Sequence, residues 1–255
     1  MKNKIWVLLT AAFLLGGLKT SAQIGEHRND FAIGGNGGYV MSSVSFTPDV
    51  PQAQHGGITA GFSYRYVCEK YFKTICSIYG EVNFAQVGWK ENILDINDNP
   101  VIISSTGEAM AYQRNLTYIQ VPIFAHLAWG RETRGLNIFV NAGPQFGYCI
   151  GESTKSNFDP LNRPATDNNR VNNVVAQDTM AVEHKFDYGI ALGLGAEYSI
   201  PKVGHFLLEA RYYYGLGNIY GSTKRDYFAK SNFGQITVKL AYLFDLTRTK
   251  NVKRK

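Results

Sequence analysis

The chain has 255 residues, with 26 Lys and Arg against 20 Asp and Glu, 26 Gly, 16 Tyr, 15 Phe and only 18% charged residues. It is richer in glycine and aromatic side chains and poorer in charge than an average soluble domain, which excludes a disordered chain and a helical bundle. Past the first 20 residues, no stretch reaches the roughly 20 consecutive apolar residues of a transmembrane helix, so a helical membrane protein is excluded too.

Taken in chain order, the first element is a leader. Lys2 and Lys4 precede the apolar run IWVLLTAAFLLGGL and then the small residues Thr20, Ser21 and Ala22. The pattern predicts a signal peptide over residues 1–22, cleaved before Gln23, with no cysteine at the site to carry a lipid anchor. Its removal takes away three lysines and no acid, lowering the formal charge from +6 to +3. The last eleven residues contribute +4, which leaves −1 for everything between. The basic character therefore sits at the two ends, and no nucleic-acid partner is expected.

From Asp30 onward the pattern is alternation with period two, which predicts strands. Eight are expected, over residues 30–41, 58–68, 74–90, 115–129, 136–150, 187–199, 207–217 and 235–244. In LLEARYYYGLG, for example, Leu208, Ala210, Tyr212, Tyr214 and Leu216 share one face, and Glu209, Arg211, Tyr213, Gly215 and Gly217 the other. Pro122 and Pro144 cannot donate to a ladder and should mark irregularities inside their strands. The alternation is least clean near Gln86 and Val87, where a bulge or the strand's end is expected.

The connections alternate between long and short. Long ones cover residues 42–57, 91–114, 151–183 and 219–231, and short ones residues 69–73, 130–135 and 200–205. An even number of strands, tight turns on one side and long loops on the other describe an all-β, antiparallel up-and-down transmembrane β-barrel of the outer-membrane kind. Period alone does not say which face is inside, and a soluble ligand-binding barrel has the opposite arrangement. The glycine-rich face carries isolated opposite charges, Arg65, Glu81, Glu197, Glu209, Arg211 and Lys239. The apolar face carries Tyr64, Tyr66, Tyr188, Tyr198, Tyr242 and Phe244 near strand ends, as an interfacial girdle requires. The membrane barrel is therefore expected, organised as a leader (1–22), an N-terminal periplasmic segment (23–29), the barrel (30–244) and a basic periplasmic tail (245–255).

The segments YIQVPIFAHL, NIFVNAGPQFGY, DYGIALGLGAEY, LLEARYYYGLGNI and the final LAYLF resemble the PorT-like outer-membrane β-barrel family. The resemblance covers most of the chain beyond the leader and implies an eight-stranded barrel in the outer membrane of a Gram-negative bacterium. The family's named member is associated with a protein-secretion apparatus, a role that the resemblance does not transfer. The basic stretch after Phe244 departs from chains that end at the closing aromatic residue.

Inside a narrow barrel, unpaired charges are costly, so the lumen charges are expected to form a structural network. The expected pairs are Arg65 with Glu81, and Arg211 and Lys239 with Glu209 or Glu197. A rim enzyme would need a hydrogen-bonded catalytic group, and of the five histidines only His184, with Asp178 and Asp187 nearby, lies close to such a rim. The run Asp95 to Pro100, DINDNP, starts like a calcium loop, but Pro100 stands in place of the turn glycine and Thr106 in place of the bidentate acid. No catalytic, cofactor or metal site is expected. The loop over residues 151–183, rich in Asn, Asp, Thr and Ser, should be a mobile surface loop. Cys68 and Cys76 bracket one tight turn with like parity and could form a disulfide, leaving Cys149 without a partner. Three roles follow: a closed structural or surface-interaction barrel, an accessory subunit of a secretion or envelope-assembly machinery, or a small ligand-binding or rim-enzyme barrel. The expected partners are outer-membrane lipids, lipopolysaccharide and a periplasmic protein.

Overall fold

The computed structural model describes residues 25–131 and 134–249; the expected leader and the last residues of the tail lie outside them. Eight long strands run β1 (Glu26–Thr47), β2 (His55–Tyr71), β3 (Thr74–Glu91), β4 (Tyr112–Gly130), β5 (Gly135–Ser156), β6 (Phe186–Ile200), β7 (Gly204–Gly215) and β8 (Lys230–Thr247). Each pairs antiparallel with the next, and β8 pairs with β1 from Phe31–Thr247 to Thr47–Lys230, closing the ring. A two-residue strand, Gln52–Ala53, adds to the long-loop end of β3.

The ring resolves which face is inside. Phe62, Ile190, Leu208 and Leu240 lie exposed on the outer surface, while Glu81, Glu209, Arg211 and Lys239 are at most 5% exposed. A soluble barrel that hides apolar side chains is thus inverted here. The glycines of the inner face make room for those charges: a Cβ on Gly193 would meet Glu209 Oε1 at 2.2 Å, and one on Gly61 would meet Asn83 Oδ1 at 2.4 Å.

Several expectations shift in detail. β1 begins at Glu26, inside the segment expected to precede the barrel, and β8 continues to Thr247, inside the expected tail. Thr249 extends this closure through hydrogen bonds to Asn29 and Asp30. No bulge occurs at Gln86 or Val87, where β3 and β4 keep one register from Thr74–Trp129 to Lys90–Gln113. The two prolines share one interruption. Pairing of β4 with β5 runs to Pro122–Gln145 and resumes at Ala125–Ala142 in the same register, while Pro144 stays paired with Ile190 of β6. A proline lacks only its own donor, so a strand can keep its other ladder intact. The true register shift of β2 against β3 falls between Val67 and Glu69. It places Cys76 opposite Glu69 and leaves Cys68 out of step, and both are free thiols in the structure.

Candidate functional site: a charged lumen beneath a folded loop

Period-two alternation aims every second side chain of eight strands into the lumen, where three polar layers form. At mid-height Glu81 of β3 meets groups from the far wall. Arg211 of β7 holds it through two contacts, Nη1 to Oε2 at 2.9 Å and Nη2 to Oε1 at 3.2 Å. The same guanidinium holds Glu209 at 2.9 Å through both Nε and Nη2. Lys239 of β8 donates to Glu81 and lies 3.7 Å from Glu209. Two acids and two bases thus close as a neutral quartet. Asn83 Nδ2 donates to Glu81 at 2.7 Å, Asn36 bridges Asn83 and Ser63, and the Arg211 guanidinium sits 4.4 Å from the centre of the Phe124 ring. Satisfying a buried charge in this way is what makes it tolerable.

Arg65 does not pair with Glu81, as its parity suggested, but reaches Glu197 at 2.7 Å. β2 and β6 face each other across the ring, so this pair spans the lumen; sequence parity identifies the inward face and says nothing about the partner across a closed barrel. Below it His205 lies between Glu197, 2.6 Å from Nδ1, and Asp245, 3.0 Å from Nε2, with the Ser199 hydroxyl 2.8 Å from Nδ1. Ser199 is 1% exposed and also touches Glu197, which suits a clamp between β6 and β8 rather than a nucleophile. Arg65, Asn137, His205 and Asp245 line a cavity of ≈ 70 Å³ at the short-turn end, large enough for a few waters.

The long-loop end is covered. Residues 157–185 form two 3₁₀ turns, Ala165–Asn169 and Ala176–Asp178, rather than a loose surface loop. Arg170 Nη2 pairs with Glu91 Oε2 at 3.2 Å, Gln177 Nε2 donates to Glu91 Oε1 at 2.7 Å, and Asn172 donates to the Asp49 carbonyl at 2.8 Å. Tyr112 and Arg114 of β4 bond the carbonyls of Asp178 and Met180, each at 3.0 Å. Arg163 ties Asp167 and Asp178 together within the loop. Beneath it Phe46, Trp89, Tyr220 and Phe228 pack as a buried aromatic cluster, with Phe46 and Phe228 ring centres 4.9 Å apart.

Glu91 lies past the outward apolar run of β3, which ends at Phe84, so it belongs to the cover and not to the spanning part. Burial and the neighbouring Asp178 carboxylate push its carboxyl up to about 8. Sequence reasoning missed this cluster. Its signals were Glu91 on the inward parity of β3 and two arginines in an otherwise Asn-rich loop.

The residues considered for rim chemistry are not brought together. Asp187 accepts from Tyr213 at 2.7 Å, Asp178 is taken by Arg163, and His184 stays on the surface. In the DINDNP run the Asp95 carboxylate accepts from Asn97 N at 2.8 Å and Asn99 N at 2.9 Å, an ordinary Asx turn. Among the described residues no three His, Cys, Asp or Glu side chains are grouped for a metal.

A family profile described as "Outer membrane protein beta-barrel domain" matches residues 21–221. No curated protein matches the chain. Among solved structures, the chain is similar to Ail, the attachment invasion locus protein of Yersinia pestis (14% identity, 86% of this chain and 99% of that one, TM-score 0.33). It is also similar to OprG of Pseudomonas aeruginosa (13% identity, 86% and 98%, TM-score 0.41) and to Neisserial surface protein A (9% identity, 84% and 97%, TM-score 0.38).

Proposed function

The chain belongs to the outer membrane beta-barrel family, and from that premise we propose that it is an integral outer-membrane protein with a filled lumen. Its work is structural or adhesive, carried out by the long-loop end at the cell surface, and it is not an enzyme. The observation that carries this reading is the lumen itself: ion pairs cross it at two levels, from Glu81 to Arg211 and from Arg65 to Glu197, and a tethered loop covers its long-loop mouth. An eight-stranded ring leaves an interior that side chains can fill. Protein reconstituted into planar bilayers is therefore expected to show little or no steady conductance. Large, reproducible single-channel steps would overturn the filled-lumen reading.

With eight strands the start of β1 and the end of β8 both lie on the short-turn side, which the export route leaves in the periplasm. A tag near Asn168 should react with impermeant reagents on intact cells, while one after Lys255 should be protected; the reverse pattern would invert the topology. The outward aromatic group Phe146, Tyr148, Phe186 and Tyr188, with Lys185 beside it, suits the boundary with outer-leaflet lipopolysaccharide. A second reading, an accessory subunit of a secretion or envelope-assembly machinery, draws support from the PorT-like segments and from the basic C-terminal residues. Crosslinked pull-downs from membranes, with and without residues 245–255, separate the two.

A further inference from the structure

The short turns carry a chemistry that neither the lumen nor the long loops use. Between β2 and β3 the chain reverses within two residues, Phe72 and Lys73, with Tyr71 paired to Thr74. Phe72 adopts φ 53°, in the left-handed region that a bulky side chain enters only at a cost. Glycine or asparagine would fill such a position with less strain. Yet the Phe72 ring is 79% exposed, so burial within the fold does not offset the strain. A backbone outlier combined with an exposed aromatic ring points to a contact outside the chain.

The neighbouring turn completes the surface. Trp129 of β4 pairs with Thr74, and Gly130 N donates to the Lys73 carbonyl at 3.4 Å, which brings Trp129 and Arg131 alongside Phe72 and Lys73. Trp129 is partly exposed and pairs with Ile138, so the patch continues the outward apolar face of the barrel. In sequence the second turn holds Arg131 and Arg134 against one acid, Glu132. The third turn repeats the theme, with Lys202 at φ 66° beside the exposed Val203.

We propose that the adjoining turns bearing Phe72, Lys73, Trp129 and Arg131 bind the headgroup of an anionic phospholipid of the inner leaflet. Lys73 and Arg131 meet the phosphate, while Phe72 and Trp129 lie against the glycerol and upper acyl region. Continuity with the outward apolar face and the excess of cations select this occupant over a neutral lipid. The assignment rests on the membrane-spanning reading and orientation given above.

The test is native mass spectrometry of the full-length mature protein, released from detergent after exposure to phosphatidylglycerol and phosphatidylcholine in equal amounts. Phosphatidylglycerol should be retained in preference, and replacing Lys73 or Arg131 with glutamine should reduce that preference about fivefold for each cation removed. Phe72→Gly should lower retention of phosphatidylglycerol while leaving the thermal midpoint equal or higher, because glycine accepts the positive φ without strain. Equal retention of the two lipids by the wild-type protein would overturn the proposal, as would full retention by Phe72→Gly. Loss by Phe72→Gly of a crosslink to an acidic periplasmic protein, with lipid retention unchanged, would also overturn it in favour of protein docking. A failure of the membrane reading itself would appear separately, as wild-type protein extracted from membranes by carbonate, and an inverted orientation as reversal of the tag labelling.

Discussion

Replacing Glu81 with alanine is expected to destabilise the barrel by about 3–5 kcal/mol, the range for removing one partner of a buried ion pair. Glu81 is fully buried and receives both Arg211 and Lys239. Its loss would leave two cations in the lumen with Glu209 as their nearest acid. Glu209→Ala should cost less, because Glu81 would still contact both cations. Tyr212→Phe, on the exposed outer face, should change stability by no more than about 0.5 kcal/mol. Urea unfolding of the three variants in the same detergent checks the order. Coincident midpoints for Glu81→Ala and Tyr212→Phe would reject a paired network that matters to stability.

The second large effect concerns the loop that covers the long-loop mouth. Glu91, Asp167 and Asp178 gather around Arg163 and Arg170, with the Arg114–Glu152 pair beside them, so the acids outnumber the bases by one. The excess is relieved when Glu91 keeps its proton. Its carboxyl is raised from 4.5 to about 8 in the closed arrangement, so between these values the closed loop holds a proton that the opened loop has released. Closure is strongest below the lower value, weakens as pH rises through the window, and levels off above about 8. From pH 6.5 to pH 9 the opening equilibrium should rise by on the order of tenfold. Trypsin cleavage after Arg170, taken as the ratio of wild type to Glu91→Gln at each pH, cancels the protease's own pH response. A flat ratio would reject the coupling. Acrylamide quenching of Trp89, which lies under the loop, should rise over the same range in the wild-type protein.

Much of the fold was legible because a strand's side-chain period is two and needs no partner to be seen. Leu208, Tyr212 and Tyr214 against Glu209, Arg211 and Tyr213 identify two faces whatever the ladder neighbours are. The loop-length parity then orders the strands, since a tight turn can join only antiparallel neighbours. The same local logic explains where expectation and structure part. A Cys68–Cys76 disulfide was open on like parity alone, and a register shift between Val67 and Glu69 leaves Cys68 out of step with Cys76. Composition made the loop over residues 151–183 look mobile, but composition does not count the buried partners that Glu91, Tyr112 and Arg114 supply from separate strands.

By itself, then, the sequence determined the period, the number of strands, their even count and the set of six charges that share one face, all read from the pattern along the chain. Only the tertiary structure decided that the charged face is the inner one. It also decided that Arg65 pairs with Glu197 across the lumen and that Glu81 is the hub for Arg211 and Lys239. The reason is geometric: closing the ring brings opposite walls within the reach of one long side chain, and which residues then share a height depends on register and strand tilt, which no single strand encodes.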